Sequence, residues 1–236
     1  MTDRELFDLF CTCFPHDSPE FFSEVINKVA APDITLTLPG AAVLVPRFNL
    51  SNGQSFGYVY CLCTAPEHRG KGLMSRLLSL AEELCAARGD SFVALVPASP
   101  ELGLTYGRRG YRPVGFRKTG GVPSPTLPGR RATERDIPAL NRFYEEEFGN
   151  TVHVRRDEKL WKTLMALYSA DGGGIFLSDG GYLFAEAAES GLVIREKAGT
   201  PLPDRAAFAL PAAAGTPHVL AKGNICPGLE LNLLFD

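Results

Sequence analysis

Residues Glu67 to Leu78 read EHRGKGLMSRLL, placing two cations and two glycines (Arg69, Gly70, Lys71, Gly72) between an apolar run and a helical pattern. That junction has a chemical use. A helix N-terminus presents free backbone N–H groups and a partial positive charge. Glycines there let an anion come close to the backbone. The stretch matches neither G-x-x-x-x-G-K-[ST] nor G-x-G-x-x-G. It is too short to wrap a triphosphate and suits a pyrophosphate lying across a strand-to-helix turn. Taken alone, it is weak evidence, since such a stretch is more often a glycine turn with solvated cations. Further cations, Arg108, Arg109, Arg112, Arg117 and Lys118, flank loops at strand ends, which favours a polyphosphate ligand.

The other reactive side chains point to less. Of six cysteines, Cys11/Cys13 and Cys61/Cys63 are C-x-C pairs, not the C-x-x-C of zinc or redox sites. Cys61 and Cys63 share one side of a strand and read as reduced structural thiols. His16, His68, His153 and His218 form no H-x-x-x-H pair, so no metal is expected. With 24 Lys/Arg against 27 Asp/Glu, a net charge of -3 argues against a nucleic-acid binder. No apolar run approaches the roughly 18 to 20 residues that span a bilayer. The acidic start MTDRELFDLF lacks a signal peptide's cationic region. A cytoplasmic protein without membrane or nucleic-acid partners is expected.

The elements that would carry the loop follow from periodicity. Residues 4–14 and 21–29 read as amphipathic helices, the second opened by Ser18 and Pro19. ITLTL, AAVLVPRFNL and FGYVYCLCTA read as strands, the last two joined through Asn52-Gly53. A helix over about 72–88 has the stripe Leu73, Leu77, Leu78, Ala81, Leu84, Cys85 and ends at Gly89. A strand at 91–98, a helix at about 100–108 and a strand at 111–117 complete the first half. TGGVPSPTLPG reads as a linker. Beyond it come two helices and several strands, an order that echoes the first half.

The stretch YVYCLCTAPEHRGKGLMSRLLSLAEELCAARG resembles motif A of the GNAT superfamily of acyl-CoA-dependent N-acyltransferases, [Q/R]-x-x-G-x-[G/A] opening a long helix. Arg69 and Gly72 match and Met74 departs. FVALVPASPELGLTYGRRGYRPVG resembles the superfamily's next motif, with Tyr106, Gly110 and Tyr111 on its positions. The resemblance covers about residues 1–118. It implies a mixed, mostly antiparallel sheet flanked by helices, an α/β (α+β) fold. Acetyl-CoA would be cosubstrate, with pantetheine amides against Leu62, Cys63 and Thr64. The pyrophosphate would meet the N–H groups of Arg69, Gly70, Lys71, Gly72, Leu73, Met74 and Ser75. Tyr106 would protonate the departing thiolate, the alternative reading being a packed helix tyrosine. The acceptor would be a small-molecule or peptide amine attacking the thioester directly. Candidate bases are Glu24, His16 and a group from the second half, and His68 reads as a turn residue. The other reading of the chain is a non-catalytic CoA-binding or regulatory module. Oligomeric state is not legible.

These expectations divide the chain into a catalytic domain (1–120), a linker (121–129) and a degenerate, smaller GNAT-like half (130–236) covering the acceptor side. That order is similar to tandem enzymes of the enhanced-intracellular-survival type, without their extra C-terminal module. No R-x-x-G-x-G follows Gly129, so the second half is expected to bind no CoA. Glu145, Glu146, Glu147 and Glu158 read as solvated helix faces or as the lining of a cleft for a cationic amine. The Asp236 carboxylate, after the apolar LNLLF, is a further candidate for that cleft.

Overall fold

The computed structural model describes residues 1–212, 215–227 and 229–231; the expected role of Asp236 lies outside them. The chain forms two compact units, Met1–Arg112 with Leu220–Ile225, and Pro113–Val219 with the residues from Cys226. The stretch expected to be a linker, 121–129, lies inside the second unit. Its backbone is tied down: Val122 N–H donates to Arg205 O at 2.9 Å and Leu192 N–H to Ser124 O at 2.7 Å. Leu127 is buried there among Phe176, Leu183 and Ile194. Proline and glycine density marks a linker only when no side chain in the stretch has a core to enter.

In the first unit, α1 (Asp3–Cys13) opens with a reciprocal Thr2–Glu5 capping box, and α2 (Pro19–Lys28) opens on Ser18 and Pro19. Phe10, Phe14 and Phe22 join the two helices. β1 (Thr35–Leu38) and β2 (Ala41–Leu44) form a hairpin around Gly40. The sequence suggested one strand over AAVLVPRFNL. Instead, β2 stops before Pro46, and β3 (Arg47–Asn49) follows. A proline has no N–H for a ladder, so the strand breaks there. β4 (Ser55–Thr64) is the central strand, with β3 and β2 antiparallel to it in succession. α3 (Leu73–Ala87) buries Leu77, Leu78, Ala81 and Cys85 against Val43, Val59, Val93 and Leu95. A Cβ at Gly57 would sit 2.1 Å from Cys85 Sγ, so this close approach of α3 to β4 needs glycine. β5 (Phe92–Leu95) runs parallel to β4, α4 (Pro100–Arg108) follows, and Leu220–Gly223 return to pair antiparallel with β5.

The second unit begins with β6 (Arg112–Gly120), from Pro113, and β7 (Arg130–Arg131). Then come α5 (Ile137–Phe148), β8 (Val152–His153) and α6 (Glu158–Ala170). β9 (Gly174–Ser178), β10 (Gly181–Ala188) and β11 (Gly191–Ala198) form an antiparallel meander. β12 (Phe208–Ala212) is parallel to β11 and antiparallel to β6. β13 (Thr216–Gly223) spans the unit boundary, and β14 (Leu229–Glu230) pairs with β8. Both units are thus mostly antiparallel sheets with helices.

A buried ion pair locks the second unit. Arg156 donates from Nη1 to Glu196 Oε1 at 2.7 Å and from Nη2 to Oε2 at 2.6 Å, and Tyr182 OH also donates to Oε1. The guanidinium lies over the rings of Tyr144, at 4.0 Å, and Trp161, at 4.8 Å. Removing one partner of such a pair strands a charge in the core. Arg156→Ala should therefore cost about 3–5 kcal/mol, read as a lowered urea midpoint.

Candidate functional site

The site begins where a ladder ends. β4 pairs with β5 from Phe56↔Phe92 to Val59↔Leu95, and no further. β4 itself continues to Thr64. On its other side it stays with β2, through Leu44↔Tyr60, Ala42↔Cys63 and Ala41↔Thr64, with a register shift between them. Between those pairs one residue of β2, Val43, opposes two of β4, Cys61 and Leu62, which makes a bulge. Cys61 takes φ 50°, a left-handed conformation that costs a non-glycine residue about 1–2 kcal/mol. A bulge bends its strand, and among the described residues no strand pairs the β5-side edge of Cys61–Thr64.

The open strand leads into the glycine loop. Ala65 N–H donates to Gly40 O at 2.8 Å, and Pro66–His68 form a single 3₁₀ turn. A Cβ on Gly40, whose φ is 73°, would meet His68 Cδ2 at 2.2 Å, so the imidazole packs on that glycine. His68 is thus the turn residue expected. Arg69 Nε reaches back to Thr64 O at 3.2 Å and Lys71 Nζ to Glu67 O at 3.1 Å. Both cations are exposed. Arg69 N–H, expected among the anion donors, already donates to Pro66 O at 3.2 Å.

Gly70 (φ 76°) and Gly72 (φ 75°) are both left-handed, with nothing within 4 Å of a Cβ at either. They are therefore required for conformation, not for space. Gly72 is the N-cap of α3 and supplies no side-chain cap. The first backbone bond of the helix runs from Arg76 N–H to Gly72 O at 3.1 Å. The N–H groups of Leu73, Met74 and Ser75 precede it and have no intrahelical acceptor. By contrast, α1, α2, α4 and α6 are each capped by a side chain, from Thr2, Ser18, Ser99 and Asp157.

One apolar cluster holds these parts together. Val59, Leu77, Leu95, Tyr106 and Tyr111 are buried in it, with Leu62, Leu73 and Leu102 packed against it. Three expected site residues, from β4, α3 and α4, therefore share a core. Met74 is half-buried. Tyr106 is 6% exposed, its ring 5.9 Å from that of Tyr111. Burial raises its pKa, so the hydroxyl stays protonated through neutral pH. Arg109 Nη2 ties α4 to α3 through Ser79 Oγ at 2.9 Å and Ser75 O at 3.3 Å. Glu82 of α3 accepts from Tyr111 OH at 3.2 Å and from Lys222 Nζ at 2.8 Å. Arg117 and Lys118 belong to the second unit, where they pair with β12, so the expected cation group divides.

The remaining candidates fall as follows. Cys61 and Cys63 have thiols pushed well up, chiefly by burial, with Asp17 adding at Cys61 and Cys13 at Cys63. Neither is poised as a nucleophile. His16 is exposed between α1 and α2, while Glu24 is half-buried, with Oε2 lacking a partner among the described residues. Thr64 Oγ1 is likewise buried without one, which periodicity had no means of signalling. Among the described residues no group of three His, Cys, Asp or Glu side chains is placed to hold a metal, and no helix is long and apolar enough to cross a membrane.

Residues 47–114 match the family model of the acetyltransferase (GNAT) domain. No curated protein matches in sequence. Among solved structures, one from Enterococcus faecalis, described as a probable N-acyltransferase, is 17% identical with a TM-score of 0.64, over 94% of this chain and 70% of that one. A GCN5-related N-acetyltransferase from Anabaena variabilis is 14% identical with a TM-score of 0.65, over 94% and 70%. Eis1 from Mycobacterium abscessus is 12% identical with a TM-score of 0.62, over 94% and 71%. The fold is that of these GNAT-related structures, and the stretch that matches the GNAT acetyltransferase domain model includes the open strand, the loop, α3 and α4.

The loop glycines give a direct test. Gly72 and Gly107 both have open space for a Cβ, but only Gly72 is left-handed. Gly72→Ala should destabilise by about 1–2 kcal/mol. Gly107→Ala, within α4, should stabilise by about 0.4–1 kcal/mol. Equilibrium denaturation of the two variants should give opposite signs.

Proposed function

We propose that this protein is an acyl-CoA N-acyltransferase, moving an acetyl or short acyl group from CoA to the primary amine of a small molecule or peptide in the cytoplasm. The observation that carries it is the β4–β5 ladder ending at Val59–Leu95, with β4 running on into a glycine loop and an uncapped helix. The GNAT domain match supports acyl transfer from CoA generally. The second unit is read as a degenerate GNAT-like half with no cationic glycine loop, giving a tandem arrangement.

The residues fit acetyl-CoA as cosubstrate. The open edge at Leu62, Cys63 and Thr64 offers main-chain donors and acceptors to pantetheine amides, as an added strand would use them. The N–H groups from Gly70 to Ser75, with Lys71 and Arg69 at the rim, suit the pyrophosphate. A main-chain N–H of the open strand polarises the thioester carbonyl. The acceptor nitrogen attacks the carbonyl carbon, forming the C–N bond as the C–S bond breaks. The ammonium proton leaves to a base or water, and Tyr106 gives its phenolic proton to the thiolate. Since burial raises the Tyr106 pKa, the donor form persists to higher pH than in a solvent-exposed tyrosine.

A second reading has its own support. Tyr106 is nearly enclosed in an apolar cluster, which also suits a packed helix tyrosine in a non-catalytic CoA-binding module.

Acetyl-CoA at about a hundred times its Kd should stabilise the protein by about 2.7 kcal/mol, a rise of several degrees in Tm. No shift with any short acyl-CoA would reject both readings. Under the enzyme reading, Tyr106→Phe should lower kcat by roughly 100-fold or more in a thiol-release assay and leave CoA affinity unchanged. Any alkaline loss of the wild-type rate from Tyr106 should fall at higher pH than the titration of an exposed tyrosine, because burial raises its pKa.

A further inference from the structure

The second unit repeats, in its own strands, the divergence that opens β4. β11 has a parallel neighbour, β12, and pairs with it at Ile194↔Phe208 alone. Past that pair β11 runs on to Ala198 beside β10, and β12 runs on to Ala212 beside β6. A bulge follows directly: between Ala185↔Ile194 and Phe184↔Glu196, β11 carries the extra residue Arg195. β4 has its bulge at Cys61 and Leu62, just past Val59↔Leu95. Between the parting strands lies a cavity of about 800 Å³, lined by Glu196 and Lys197 of β11 and by Leu210, Pro211 and Ala212 of β12. The rest of its wall comes from β6, the end of α5, β8 and the segment around β14, all within the same unit. We infer that this wedge binds a short neutral peptide in extended conformation, added as a strand along β11.

The wedge differs from the first unit's site in what it can bind. β4 leads into a glycine loop and α3, whereas β11 leads into residues 199–207, which contain no helix. The wedge therefore has no helix N-terminus to meet a phosphate. Its charges are closed among themselves. Lys197 reaches Glu147 at 3.0 Å, Gly199 N–H donates to the other oxygen of that carboxylate, and Glu196 is held by Arg156 and Tyr182. The wall thus favours neither an anion nor a cation. What it offers is main chain. Among the described residues no strand pairs with Lys197 or Ala198 on the β12 side. Backbone groups on such an edge accept an added extended chain. β12 contributes less, because Pro211 has no N–H. Successive side chains of an added strand point to opposite faces, and Phe116, Phe148, Leu210 and Leu231 favour apolar ones. The volume lies within the range of small-ligand sites. The site does not depend on acyl transfer by the first unit.

The full chain should be titrated by calorimetry with the blocked peptide acetyl-Leu-Thr-Leu-Thr-amide and with two N-methylated isomers. One isomer is methylated on both leucine nitrogens, the other on both threonine nitrogens. Each keeps every side chain and loses alternate N–H groups, which in a strand face the same neighbour. The parent peptide should bind saturably, with one isomer at least about tenfold weaker. Saturating acetyl-CoA should not displace it, which separates the wedge from the open edge of β4. Ala212→Trp, filling the wedge from a half-buried position at the end of β12, should weaken the parent at least about tenfold. The N-methyl series uses the unaltered protein, so it tests strand addition even where that substitution disturbs folding. No saturable binding, equal affinity of the parent and both isomers, displacement by acetyl-CoA, or an unchanged affinity in a folded Ala212→Trp would overturn the proposal.

Discussion

When the parallel ladder between β4 and β5 stops at Val59–Leu95, β4 goes on for five more residues along one partner only. Backbone polar groups on a strand edge need partners, and such an edge invites an added extended chain. The bulge at Cys61 directs that edge, because an extra residue in one strand bends it while the β2 pairing is kept. The glycine loop depends on the same divergence. It starts at Thr64, whose carbonyl takes Arg69 Nε, and it ends on the first turn of α3.

α3 is where packing and chemistry meet. Its buried face fixes its height over β4, with Gly57 allowing Cys85 to sit directly on the strand. That contact determines where its N-terminal N–H groups point. Arg109 then anchors α4 to α3, so Tyr106 is held by the same cluster that holds the loop. Burial has two opposed consequences for a tyrosine proton donor. It keeps the hydroxyl protonated at working pH, and it makes the group a weaker acid, at about 1.4 kcal/mol per pK unit. Transfer to a thiolate therefore relies on placement of the two atoms more than on a matched pKa.

The second unit uses polar groups differently. Arg156, Glu196, Tyr182, Tyr144 and Trp161 form a closed buried network in which charge, hydroxyl and rings satisfy one another. Such a network is stable only when complete.

By itself, the sequence determined the local devices. Ser18-Pro19 opened α2, Gly89 followed the end of α3, and Arg69 to Gly72 marked a helix start suited to an anion, because capping and glycine conformation depend on near neighbours. The apolar stripe of α3 was legible for the same reason. Pro46 was present in the sequence too, though its strand-breaking effect showed only when β2 and β3 met different parts of β4. Tertiary structure alone decided the rest. Residues 121–129 look like a linker until Val122, Ser124 and Leu127 find partners far along the chain. The Cys61 bulge, the Arg156–Glu196 pair and the return of Leu220–Gly223 to β5 all join distant residues. Periodicity reports which side of an element is apolar, but which distant backbone or charge comes to meet it is fixed only when the sheet closes its ladders.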